Sequence, residues 1–449
     1  MKPKAIALLV MLCGVLTGFF AGVDCAWAQA PQTPALRLTL PDAIERGLEA
    51  SHRLAELGAR EQAARAIEDQ RKAAMLPQVA LLAGYTRTNH VQEFGVPLPT
   101  GGLRVIYPDV PDNYRSRVDF QWPIYTAGRS TALVKAAAAE ANAVVQDRDA
   151  ARADLRLEIT RAYWSVITAK ASVDVVRQAL SRIAVHLTDV QNQLSVGLIP
   201  PSDVLTIEAQ QARQQMLAIE AENVVDTASA EFRRLVGLPI DSPFELADVM
   251  QPPPPPARDV AALVDAARSN RAERRALEIR IEGASERVSA AAAGRKPMLM
   301  SAGGYDLARP NPRIFPRDAV WKPSWDLGIT VSWPVFDGGR VRAEIAEASA
   351  NRRASEERLK DFDANVGVEI QQRVSDLVSA EASIAAAEIG VNSAAEARRV
   401  LAERFSAGVA TNTDVLDAQV ALLQAELDRT RAQANAQLAG ARLARALGR

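Results

Sequence analysis

Cysteine is almost missing: the 449 residues hold two, Cys13 and Cys25, both among the first thirty. Whatever follows Cys25 therefore cannot build a disulfide or a thiolate metal site. Histidine is nearly as scarce. His52, His90 and His186 share no metal-ligand spacing, so each reads as a surface or interface side chain, and no metal or cofactor is expected. Aromatics make up only 5%, which together with abundant alanine and arginine favours long helices over a large mixed core. Neither sign of charge dominates. The formal net charge is −1, and without a basic stripe a nucleic-acid partner has no electrostatic footprint. No nucleophile–base motif occurs, so the chain is not expected to be an enzyme.

Long apolar runs are confined to the start. Lys2 and Lys4 precede an apolar stretch over residues 5–23, and Ala26-Trp27-Ala28 follows. That order of charge, apolar run and small residues predicts a secretory signal peptide over residues 1–28, cut after Ala28. Cutting after Ala30 would leave Pro31 just beyond the cut. Asp24 stands where a lipoprotein signal needs a small residue, which argues against lipidation of Cys25. No later run reaches the ~18 apolar residues of a transmembrane helix.

The chain is duplicated. Trp122, Pro123, Gly128 and Arg129 recur as Trp333, Pro334, Gly339 and Arg340, each 211 residues later. Gly197 and Asp203-Val204-Leu205 recur at the same offset as Gly408 and Asp414-Val415-Leu416. Upstream, Pro77 and Tyr85 pair with Pro297 and Tyr305 at an offset of 220. The difference predicts a longer loop between Tyr85 and Val118. Gln251 followed by prolines at 252–256 reads as a stiff linker. The expected organisation is a first repeat over 29–250, a proline-rich linker over 251–258 and a second repeat over 259–449. Each repeat should hold a helix, two strands and a long helical hairpin.

Between Gly128 and Gly197, and again between Gly339 and Gly408, no proline interrupts the chain. Each interval predicts one helix of about 100 Å at ~1.5 Å per residue. Ile159, Val166, Val173, Leu180, Leu187 and Leu194 recur every seven residues, with Ala162, Ala169, Val176, Ile183 and Val190 three further on. Ile370, Leu377, Ile384, Val391 and Phe405 repeat the scheme beside Ala380, Ala387, Ala394 and Leu401, interrupted by Arg373 and Arg398. Two-position heptads of this kind form coiled-coil seams, and the alanines imply close approach. The helices turn at Gly197 and Gly408, and return helices begin near Asp203 and Asp414. Asp414 as N-cap with Asp417 three residues on would suit the helix dipole.

Before each long helix the period drops to two. Val118, Phe120, Trp122 and Ile124 alternate with Asp119 and Gln121, while Leu327, Ile329, Val331, Trp333 and Val335 alternate with Gly328, Thr330 and Ser332. Partner strands are expected near residues 78–88 and 298–305, with loops over 89–117 and 306–324. Strands of ~10 residues with one apolar face are what an outer-membrane barrel uses, and a half-buried strand in a soluble sandwich gives the same signal. Four strands cannot close a barrel in a bilayer, which takes at least about eight. An open edge there leaves backbone groups unpaired. Membrane-spanning strands therefore require several chains sharing one barrel, with Trp122 and Trp333 as interfacial aromatics.

The layout resembles the TolC-like outer-membrane efflux proteins. The resemblance is carried by residues 38–44, by the paired Trp-Pro strands leading into Gly-Arg, by Phe405-Ser406-Ala407-Gly408 and by Thr413-Asp414-Val415-Leu416-Asp417-Ala418. It implies a mainly α fold with a small β part, in which three copies share a transmembrane barrel above duplicated helical hairpins that form a periplasmic α-barrel. It further implies an outer-membrane channel serving efflux or type I secretion, a homotrimer contacting outer-membrane lipid, and as partners a periplasmic adaptor and an inner-membrane RND or ABC pump. The hairpin turns would form the pore constriction, with Asp414, Asp417, Asp203, Ser202 and Phe405 around it. Ala410 replaces a base found there in some members, leaving Ser202, Asp203, Thr411, Asn412 or Thr413 to lock the tip. The competing reading is a secreted periplasmic or surface coiled-coil protein, which would need neither strand pair. N-terminal sequencing of the purified protein should begin at Gln29; recovery of Met1 or a lipid-modified Cys25 would refute the processing.

Overall fold

The computed structural model describes residues 36–249 and 259–449. The expected signal peptide, Cys25 and the proline run lie outside those residues. The first half runs β1 (Leu36–Leu38), α1 (Leu40–Ala50), α2 (His52–Ala73), β2 (Gln78–Arg87), β3 (Phe94–Pro97), β4 (Leu103–Tyr107), β5 (Asp112–Tyr125), α3 (Arg129–Ser195), α4 (Pro201–Leu235) and β6 (Phe244–Leu246). The second runs α5 (Val260–Asn270), α6 (Ala272–Ala292), β7 (Met298–Arg309), β8 (Lys322–Ser332), α7 (Arg340–Ser406) and α8 (Asn412–Ala446).

The long helices have 67 residues each and their return helices 35 each. Each half carries two helices before its strands where one was expected. They break at Ser51 and Arg271, 220 positions apart, where the backbone is extended. At Gly128 and Gly339 the chain turns from strand into long helix at φ 86° and 89°, a region that penalises any Cβ. The Asp337 carboxylate accepts the amides of Gly339 and Val341, both at 2.9 Å. The anion-attracting end of α7 is thereby filled by its own residue, and the Asp337–Arg340 turn is a strand-to-helix transition.

Packing follows the heptads. Along α3, Ile159, Val166, Val173, Val176, Ile183 and Val190 are buried, and α3 lies against α4 and α8. Along α7, Ile370, Leu377, Ala380 and Ile384 are buried with Ala436, Ala439 and Leu443 of α8. Of the two interruptions, Arg373 pairs with Asp376 at 3.0 Å, whereas the buried Nε of Arg398 has no hydrogen-bond partner. Near the middle of α3, Ile159 and Tyr163 close a core with Phe232 of α4 over β1 and β6, which pair in parallel. The Tyr163 hydroxyl donates to Asp248 Oδ2 at 2.7 Å, and the Leu40 amide donates to the same oxygen at 2.8 Å.

The remaining strands form one antiparallel sheet in the order β2-β5-β7-β8, with β2 and β8 as unpaired edges. Two expected loops are shorter than read. β5 already begins at Asp112, β7 extends to Arg309 and β8 starts at Lys322. The first loop also carries the β3–β4 hairpin, which accounts for its extra length. The misread segments alternate charged with small or polar residues, a composition shared with loops; here the charges pair across strands. Among the described residues no helix is long and apolar enough to cross a membrane.

Replacing Tyr163 with Phe should leave the Asp248 carboxylate short of a donor in a closed core. A loss of roughly 1–3 kcal/mol is expected, measured as a lower denaturation midpoint of the purified protein. An unchanged midpoint would mean that the knot between β1, β6 and α3 contributes nothing.

Candidate functional site

Two places concentrate chemistry: the turns of the long hairpins and the faces of the sheet. Both turns are built alike. Gly197 and Gly408 sit at φ 75°. The amides of Leu198 and Val409 reach back to the carbonyls of Gln193 and Arg404 at 3.0 and 2.8 Å, which is the Schellman closure that needs a left-handed residue. Beyond the turns the halves diverge. The N-cap of α8 is Thr411, not Asp414. Asp414 is the third residue of a capping box: its Oδ2 accepts the Thr411 amide at 2.8 Å and the Thr411 hydroxyl at 2.7 Å. The Thr411 hydroxyl, and then its amide, hold the Asp414 carboxyl below the usual carboxylate range. The N-cap of α4 is Pro200, whose ring offers no cap, so Asp203 lacks that partner.

Asp417 lies exposed one turn further along α8, and Ser202 is exposed at the start of α4. Asp203 is half-buried, and its carbonyl accepts from Asn412 Nδ2 at 3.2 Å. The Oδ1 of the same Asn412 meets His186 Nε2 at 2.8 Å. Of the surface or interface positions expected for His186, it takes an interface between helices: it is 8% exposed, and the Phe405 ring stands edge-on to it at 5.4 Å between centroids. Because Asn412 gives its amide hydrogens to Asp203, its oxygen accepts and His186 Nε2 donates. One side chain thus ties the first turn of α8 to α3 and to the start of α4. Sequence reasoning named Asn412 and left His186 as a surface or interface side chain without a partner; it flanks the heptad seam beside Ile183 and Leu187, on the face by which α3 meets α8.

The sheet has two unlike faces. On one, Val118, Trp325, Leu327, Ile329 and Val331 are exposed, with Phe120 half-buried among them; Trp325 is 73% and Leu327 68% exposed. Trp325 lies on this face and Trp333 follows one residue after the end of β8, eight residues away. That is about 27 Å at ~3.4 Å per residue, close to the ~25 Å apolar band of a membrane barrel. At the helical end of the strands, Trp122 Nε1 donates to the Met75 carbonyl at 3.2 Å and Trp333 Nε1 to the Arg295 carbonyl at 3.1 Å. Each indole ties the end of one strand to the segment that opens its partner strand. The opposite face carries Arg115, Arg117, Asp119, Gln121, Asp306, Asp326 and Thr330, as the pairing register requires. Of these only Asp119, Gln121 and Thr330 were read as strand residues from sequence. Among the described residues no cluster of three or more metal-ligating side chains occurs.

The sequence profile of the outer membrane efflux protein family matches residues 43–238 and 263–449. The chain is similar to the outer membrane protein TolC of Vibrio cholerae, 22% identical over 380 residues that cover 84% of this chain and 83% of that one. It is similar to the protein CyaE of Bordetella pertussis, 25% identical over 397 residues covering 88% and 81%. Among solved structures it is similar to the outer membrane protein VceC of Vibrio cholerae, with a TM-score of 0.75 at 22% identity, covering 91% of this chain and 96% of that one.

The depressed Asp414 carboxyl gives the cap of α8 a definite pH dependence. Its contribution is complete above the unfolded carboxylate value of about 4 and is lost only as pH falls through the lower folded value. Protection of the Thr411 and Asp414 amides from hydrogen exchange, taken relative to their intrinsic rate at each pH, should hold down to about pH 4 and fall below it. Thr411→Ala should lower it at every pH. Exchange insensitive to both changes would remove the capping box from the account of the tip.

Proposed function

The chain belongs to the outer membrane efflux protein family, and on that footing we propose how its residues serve a channel. It is an outer-membrane channel of efflux or type I secretion systems, with a helical tunnel on the periplasmic side. One observation carries the reading in detail: a four-stranded sheet with two unpaired edges, one apolar face and one polar face. In lipid such edges must pair with strands of other copies. Three copies give a closed wall of twelve strands, apolar outward and polar inward. The repeats over 29–250 and 259–449, joined by the 251–258 linker, act as two near-equivalent sectors of that wall. Trp122 and Trp333, beside Pro123 and Pro334, meet lipid at the inner interface, and the glycine turns at 128 and 339 pass the wall into the helical tunnel.

The duct is passive and catalyses no reaction of its own. Its partners are a periplasmic adaptor and an inner-membrane RND or ABC pump. A surface fibre would have no use for the sheet, and the coiled-coil alternative is set aside. The constriction lies at the hairpin turns around Gly197 and Gly408. There Asp417, with Asp414 and Asp203, supplies acids repeated by threefold symmetry, with Ser202 exposed beside them and Phe405 packed behind them against His186. In place of a base at position 410, the bridge from His186 through Asn412 to the Asp203 carbonyl holds the two hairpins together.

Asp417 separates pore chemistry from capping, since the capping box uses Asp414 and leaves Asp417 out. Asp417→Ala should weaken block by multivalent cations added from the periplasmic side and lower cation preference, with trimers retained on native mass spectrometry. Single-channel recording in planar bilayers is the measurement. Unaltered block in correctly assembled trimers would take the acids out of the constriction.

A further inference from the structure

The polar face of the sheet holds a set of charges that the transport reading does not use. Three aspartates, Asp119, Asp306 and Asp326, project from β5, β7 and β8 in the outward half of the strands. Arg117 meets all three: Nε reaches Asp119 Oδ1 at 2.6 Å, and Nη1 reaches Asp306 Oδ2 at 3.1 Å and Asp326 Oδ1 at 2.8 Å. Arg115 lies on Asp306 through Nε at 2.8 Å and Nη2 at 2.5 Å. Arg313 closes on Asp326 at 3.1 Å. Within one chain the three guanidinium groups balance the three carboxylates.

The wall is shaped for this. A Cβ at Gly304 would stand 2.7 Å from Arg117 Nη2 and 2.7 Å from the Val118 carbonyl. The glycine therefore lets the guanidinium lie flat on the sheet instead of reaching into the opening. The Arg117 side chain is only 15% exposed and that of Asp306 5%, although they occupy the polar face of a single sheet layer. Rings of aspartate on a pore wall favour cations, and the field of unmatched charge in a narrow opening selects permeating ions. Here each aspartate of the outward half is matched at contact distance.

We propose that Arg117 sets the charge selectivity of the barrel: by covering three aspartates on the lumenal wall, it keeps the outward half of the pore from acting as a cation filter. The proposal rests on the sheet being barrel wall, with this face inward. A purely structural account, in which the ion pairs only pin the register of β5, β7 and β8, predicts changes in trimer stability and none in ion preference.

Reversal potentials across planar bilayers under a KCl gradient distinguish the two. Arg117→Gln, which uncovers negative charge, should raise the cation-to-anion permeability ratio by about twofold or more; Asp326→Asn, which leaves positive charge in excess, should lower it by a similar factor. The double variant, again balanced, should return towards the parent ratio. Both shifts should shrink at about 1 M salt, where the screening length falls to ~3 Å. Assembled Arg117→Gln trimers with an unchanged ratio would overturn the proposal, as would shifts of the same sign in both single variants. Should Arg117→Gln fail to assemble, Asp326→Asn decides alone: a fall in the ratio supports the proposal, and no shift overturns it. A parent chain that forms trimers but no pore would overturn the barrel reading and this inference with it.

Discussion

An unpaired peptide group in lipid is the constraint on which the rest of this structure depends. Each exposed N–H or C=O at bilayer depth costs several kcal/mol. One chain presents two whole edges of them, along β2 and β8. The sheet is therefore a fragment, completed only by further copies, and its curvature is set by how many copies close it. That number is passed downward. β5 and the strand region after β8 each run into a long helix through a left-handed glycine turn, so the spacing of strands around the wall becomes the spacing of α3 and α7 around the tunnel. Matching helix lengths in the two halves let both sectors reach the same depth.

The helical part obeys a different rule. In water the cost is apolar exposure, and the heptads answer it with narrow seams of alanine and branched residues. The burial is uneven along the chain. Ile183 and Val190 of α3 remain buried close to the tip against Ile207 and Leu416, whereas Val391 and Ala394 of α7 are only half covered. Near its end α7 satisfies its charges locally, with Arg399 held between Glu396 and Glu403 of the same helix. Both tips share the cluster around Ile183 and Val190, since Phe405 of α7 and Leu416 of α8 pack into it, and the second hairpin is tied further by its capping box and by Asn412.

The duplication was legible because the positions that carry it have no substitutes. A left-handed turn wants glycine, an indole that must cap a carbonyl wants tryptophan, and a heptad seam reads at any length. The two offsets, 211 and 220, reappear in the structure as paired tryptophan anchors and paired helix breaks at Ser51 and Arg271. What was not legible depended on partners remote in sequence. His186 is one histidine on a long helix until α8 brings Asn412 against it. Arg115 and Arg117 looked like loop because a charged strand face has the composition of a loop; only register against Asp306 and Asp326, about 190 and 209 residues away, turns them into wall. The single helix expected before each strand pair is two, since the extended backbone at Ser51 and Arg271 leaves no proline or glycine to mark it.

Charge is handled differently at the two ends of the chain, and the difference follows from packing. On the sheet, the acids have guanidinium neighbours one or two strands away, so the field of each group is cancelled at contact distance and falls off steeply into the opening. At the hairpin turns no base stands at position 410. Asp414 is instead stabilised first by the hydrogen bonds from Thr411 at the positive end of α8, with a smaller contribution from the charge of Arg404 and no contact ion pair. A dipole-stabilised carboxylate projects its field over about a Debye length, ~8 Å at physiological salt. An opening narrower than twice that distance has no region outside the field of its wall. On the proposed reading, discrimination by charge falls to the hairpin turns, and the sheet, whose acids are matched at contact distance, adds little to it.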